Sequence, residues 1–93
     1  MAVGFCSVRL RIDSASSLKG KRQVVKGLIG KIRSRFNVSV AEMDEHDKWQ
    51  RAELGIAAVS NDRRFVNEVL SKVVGFIGQS YVAEVVDYSI EIY

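Results

Sequence analysis

The residues with the most chemistry in them are cations. Lys19, Lys21, Arg22, Lys26, Lys31, Arg33 and Arg35 occupy one stretch that contains no acid. On a helix of about 100° per residue, Lys19, Arg22, Lys26 and Arg33 fall within an arc of about 60°, and Lys31 and Arg35 flank the opposite side of the apolar stripe. A basic rim of this kind pairs with phosphates spaced along a nucleic-acid backbone, and such binding falls steeply with salt. A solvated helix face carries the same residue types. Against that reading, like charges on one helix repel, and nothing within the helix offsets the cost. At the front of the stretch, Ser16, Ser17, Lys19, Gly20, Lys21 and Arg22 place hydroxyls and cations where a helix would begin, and free N–H groups there attract anions. An anion site and an ordinary cap are both open. A P-loop is excluded, because the GxxxxGK[ST] spacing is missing.

The remaining chemistry is sparse. His46 is the one histidine, and with Asp44, Glu45 and Asp47 it makes either a weak metal site or, the favoured reading, a solvated acidic loop. Cys6 is the one cysteine, so no internal disulfide and no cysteine-based zinc site can form. Its place on an apolar strand face predicts a buried, inert thiol. No base can be grouped with a nucleophile, and GxSxG is absent. No catalytic residue, metal or cofactor is assigned, and a non-enzymatic module is expected.

The elements that must position these residues follow from periodicity. Val3 to Ile12 alternates, with Cys6, Val8, Leu10 and Ile12 on one side and Phe5, Ser7, Arg9 and Arg11 on the other, which reads as a half-buried strand. Ser16 or Ser17 caps a helix from Leu18 to Phe36, whose Val25, Leu28, Ile29, Ile32 and Phe36 recur at three- and four-residue spacing. Gly27 and Gly30 on its outer arc suggest either close approach by another backbone or simple tolerance. Val38 to Asp44 and Gln50 to Ser60 read as a hairpin of two strands. Asn61 or Asp62 caps a second helix, over Phe65 to Ile77, with Gly78 placed to stop it. Tyr81 to Tyr93 alternates again and closes the chain as a strand.

The order strand, helix, strand, strand, helix, strand predicts an α+β, ferredoxin-like βαββαβ fold, a four-stranded antiparallel sheet with two helices on one face, as a single domain over 1–93. The other face stays open. Strict alternation of the last strand would put Arg9 and Arg11 on that face beside Glu53, Asp87 and Glu91. It would also gather Phe5, Gly55, Ala57, Val59, Val85 and Tyr93 into an apolar patch suited to a second copy, hence a homodimer. Trp49 at the hairpin end belongs either to a contact or to a lid on the core. Acylphosphatases share the topology, but their arginine-bearing glycine loop is replaced here by serine and lysine. RNA-recognition modules stack bases on aromatics of the first and third strands, and the third strand here has none.

Composition fits this picture. The 93 residues are 47% apolar and 27% charged, which suits one soluble core and excludes a disordered chain. The net charge of +3 hides an asymmetry. Residues 9–36 hold nine lysines and arginines against one aspartate, whereas residues 37–62 hold two against six acids. Arg9 and Arg11 come too early for a signal peptide, no apolar run approaches membrane length, and the lone cysteine suits a reducing compartment, so a cytoplasmic protein is expected.

Four blocks, SLKGKRQVVKGLI at 17–29, RFNVSVAE at 35–42, WQRAELG at 49–55 and VSNDR at 59–63, resemble the YlxP-like family of small bacterial proteins. The resemblance spans nearly the whole chain and implies a ferredoxin-like fold without established catalytic residues. Family members are often encoded beside translation-initiation and ribosome-maturation factors, which by association implies rRNA or a ribosomal particle as partner. Contacts would run to the phosphate backbone, with no sequence-specific DNA binding.

Overall fold

In the computed structural model, which describes residues 1–44 and 48–93, the elements are β1 (Ala2–Arg11), α1 (Leu18–Arg35), β2 (Ser39–Asp44), β3 (Arg51–Ser60), α2 (Arg63–Gly78) and β4 (Glu84–Ile92). The sheet is antiparallel with strand order β2-β3-β1-β4, so β1 is central and β2 and β4 are edges. This is the ferredoxin-like arrangement that the hydrophobic periodicity predicts.

Local chemistry sets the helix ends. Ser17 Oγ accepts the Gly20 N–H at 3.0 Å and starts α1. Asp62 Oδ1 accepts the Arg64 N–H at 2.9 Å and starts α2. Each cap satisfies a donor that the first helical turn leaves unpaired. Between the sheet and the helices, Val8, Leu10 and Ile12 meet Val25, Leu28 and Ile32 of α1 and Val66, Leu70, Val73 and Ile77 of α2 in one buried core. Cys6 lies in it, and burial pushes its thiol up to about 11.

Gly4 lets α2 sit down on β1. A Cβ there would lie 2.3 Å from Val66 Cγ1 and 2.8 Å from Leu70 Cδ1. Gly4→Ala should therefore cost about 1–3 kcal/mol of stability, read as a lower urea midpoint with an unchanged m-value. An unchanged midpoint would mean that the helix shifts freely.

Two expectations about the last strand are corrected. It begins at Glu84 rather than Tyr81, because Tyr81 follows α2 in the left-handed region (φ 63°), fully exposed, and cannot join a ladder there. A bulge also interrupts the alternation: Arg9 faces Asp87, but Leu10 faces Val85 and Arg11 faces Glu84, with Val86 the extra residue. Val85 thus packs against the core instead of joining the open-face patch, and Glu84 takes its place opposite Arg11. Phe5, Gly55, Ala57, Val59 and Tyr93 remain on the open face.

Candidate nucleic-acid interface

The cations of α1 separate into three groups once the helix is docked. Lys21 is removed from the surface altogether: it is 0% exposed, and its Nζ lies 3.2 Å from Glu42 Oε2 on β2. It stands four residues before Val25, seven before Leu28 and eleven before Ile32, in the middle of the buried stripe. Reading it as a phosphate contact was an error, and that spacing is the signal that would have corrected it. Glu42 faces the same side as Leu54's partners in the core, with its side chain 17% exposed. The ionic contact is not aligned as a hydrogen bond, and among the described residues no donor points at Glu42 Oε2.

Lys31 and Arg35 lie away from β2. The Arg35 guanidinium sits 5.0 Å from the centroid of the Phe76 ring, and Phe76 in turn meets Phe36 edge-on at 5.8 Å. Arg35 is thereby committed, at least in part, to holding α1 against α2. Ser17 is similarly occupied, since its oxygen already takes the Gly20 N–H.

The third group forms a site. Arg22, Lys26 and Arg33 line a groove of about 400 Å³ between α1 and the edge strand β2, with Val25, Ile29 and Gly30 on the helix side and Val40, Ala41 and Glu42 on the strand side. Lys19, exposed, continues the row toward the start of α1. From Lys19 to Arg33 the row extends about 21 Å along the helix axis. Arg33 is oriented by its donation to the Val40 carbonyl at 2.7 Å, which also covers one acceptor of the exposed edge. Glu42 is the one acid among the described residues that line the groove, and Lys21 balances it from below. The outward charge is therefore set by Arg22, Lys26 and Arg33. A Cβ on Gly27 or Gly30 would meet nothing within 4 Å, so among the described residues nothing packs over the helix at these two positions.

On the open sheet face, charge and apolar surface segregate. Arg11 pairs with Asp13 at 3.2 Å and with Glu84, and Ser7 donates to Glu53 at 2.8 Å. Arg9 stands between Glu53 and Asp87 in register but forms no ion pair among the described residues. At the other end, Phe5, Ser39, Ala41, Met43, Gly55 and Ala57 line a shallow apolar hollow of about 230 Å³. Tyr93 donates to Glu91 at 2.8 Å, and that hydrogen bond, with the carboxylate's charge, raises its phenol above the usual range.

The acidic hairpin tip around His46 lies outside the described residues. Among those described, no group of three or more His, Cys, Asp or Glu could hold a metal ion. Among the described residues, no helix is long and apolar enough to cross a membrane.

Two helices over one face of a β2-β3-β1-β4 antiparallel sheet define a ferredoxin-like α+β domain, here with a basic groove along one edge. The chain belongs to the family described as "Protein of unknown function (DUF503)", whose family model matches residues 3–90. It is similar to the "Uncharacterized protein YlxP" of Bacillus subtilis (strain 168), with 41% identity over 75 residues that cover 81% of this chain and 82% of that protein. The resemblance drawn from the four sequence blocks is thus confirmed. Among solved structures it is similar to "Structure of the REP associates tyrosine transposase bound to a REP hairpin", at 11% identity and a TM-score of 0.46. That match covers 99% of this chain and 56% of the other, and a likeness so loose says nothing about this chain's partners.

Proposed function

We propose that this protein is a non-enzymatic cytoplasmic module that grips the phosphate backbone of RNA, on rRNA or a ribosomal particle, through the groove between α1 and β2. The observation that carries the reading is the convergence of Arg22, Lys26 and Arg33 on one groove in which Glu42, the one acid among the described lining residues, is balanced from inside by Lys21. Arginine and lysine in a row hold a polyanion by charge and position it without reading its sequence. Binding to 16S rRNA fragments and 30S particles across a salt series tests this. Retention that weakens steeply as salt rises supports the reading, and no retention even at low salt contradicts it.

A second reading rests on the open sheet face. The hollow at Phe5, Met43, Gly55 and Ala57, with exposed Val59 beside it, suits a second copy of the chain in a homodimer. This surface lies across the sheet from the helices, so the two readings use different faces. Light scattering should then give twice the mass of one chain, and Val59→Asp should return it to a monomer. A small anion held at the 16–22 turn is less favoured, because Ser17 already accepts from Gly20 and Lys21 is buried.

A further inference from the structure

Trp49 is not a lid on the core. It is 52% exposed, in the wall of a hollow of about 520 Å³ formed with Leu18, Lys48, Gln50 and Arg51. Nor do its surroundings suit the centre of a protein interface, where lysine is depleted and apolar neighbours dominate. Its half-exposed ring offers a flat π-face, and Arg51 stands in the same wall. Arg51 forms no ion pair among the described residues, so an aromatic ligand that carries its own negative charge is matched by the ring and by the guanidinium together.

Position and rigidity support the same conclusion. The Gln50 carbonyl accepts the Ile12 N–H at 2.8 Å, and the Gln50 side-chain amide donates to the Ala15 carbonyl at 3.3 Å and, more weakly, to that of Asp13 at 3.5 Å. These bonds fasten the chain beside Trp49 to the turn that leads into α1. Leu18 and Arg22 are one helical turn apart on the same side of α1, so the Trp49 hollow adjoins the Arg22 end of the basic groove. On the other side, Arg51 is shared with a second hollow of about 260 Å³ lined also by Arg9, Leu10, Arg11 and Val86. Arg11 is held by Asp13 and Glu84, while Arg51 forms no ion pair among the described residues.

We propose that Trp49 is a stacking platform for one unpaired base of the bound RNA, with Arg51 holding that nucleotide's phosphate. The proposal rests on the backbone-binding reading and adds what it lacks, a preference for single-stranded RNA. A base in a duplex is already stacked on both sides and cannot lie on the ring, whereas a splayed base can, whatever its identity.

Trp49 is the chain's one tryptophan, so its emission reports on the site directly. The experiment titrates the full chain with a fluorescently labelled ten-nucleotide oligoadenylate, with a fully paired RNA duplex of the same length, and with AMP. RNA binding is read by anisotropy and the ring by tryptophan emission. The single strand should quench Trp49 on binding and the duplex should not. Trp49→Leu should weaken the single strand about tenfold or more while leaving duplex affinity and its salt dependence unchanged, and Trp49→Phe should recover part of the loss. Single-strand binding without quenching, or an equal loss for both RNAs in Trp49→Leu, overturns the stacking site and leaves the backbone reading standing. Quenching by AMP at the same concentration as the oligomer overturns the assignment to RNA. Failure of every RNA to bind removes the backbone reading, and the stacking site with it.

Discussion

Reversing charge at Lys26 and Arg33 together, as Lys26→Glu/Arg33→Glu, is expected to lower RNA affinity about a hundredfold or more while the protein stays folded. Lys26 is exposed, and Arg33 contributes one bond to the Val40 carbonyl, so the change costs the fold about 1 kcal/mol. Each lost charge-assisted contact contributes roughly 1.5 kcal/mol, and two of them account for about two decades in affinity. The same reversal at Lys31 and Arg35 should weaken RNA far less, because these face away from the groove and Arg35 is engaged with Phe76. Equal losses from the two pairs, measured by anisotropy in one buffer, would show that net charge and not the groove governs binding.

The largest effect on stability is expected at Lys21. Lys21→Ala leaves the Glu42 carboxylate below the groove without its ionic partner, and breaking a pair this deeply placed costs about 3 kcal/mol, a large share of the 5–15 kcal/mol that holds a domain together. Replacing both partners, as Lys21→Met/Glu42→Leu, removes the charge along with its need for a partner and should come within about 1 kcal/mol of the parent protein. Denaturant midpoints of the two variants separate these outcomes. A double variant as unstable as the single would mean that the pair is needed for more than mutual neutralisation. The two variants also differ in function: an unbalanced Glu42 makes the groove less positive and should weaken RNA, whereas the double variant should bind as the parent does.

The element order, both helix caps and the buried thiol of Cys6 were legible in the sequence, because each rests on local chemistry: alternation of apolar residues, a serine or aspartate before a helix, a cysteine on the apolar face of a central strand. Lys21 was legible in principle. Its spacing to Val25, Leu28 and Ile32 places it on the buried face, but a reading by residue type puts any lysine at the surface. Its partner is a different matter, since Glu42 belongs to another element and only docking of α1 on β2 brings the two together. Val85 could not be placed from alternation, because a bulge inserts one residue and flips the face of everything beyond it. The division of the cations into those over the groove, those toward α2 and the one inside follows from how α1 is turned on the sheet. Helical spacing gives the angles between these side chains and leaves open which element each will face.

The account depends most on Arg22, Lys26 and Arg33 meeting RNA phosphates together. The most direct measurement is the slope of log affinity against log salt for a single-stranded RNA, in the parent protein and in Arg22→Gln/Lys26→Gln/Arg33→Gln. Each phosphate contact on a single strand contributes about 0.7 to that slope, so removing three should flatten it by about 2. A flattening of that size, with affinities converging at high salt, is the predicted result. An unchanged slope, or a parent protein whose binding ignores salt, would contradict the claim that the α1–β2 groove holds a nucleic-acid backbone.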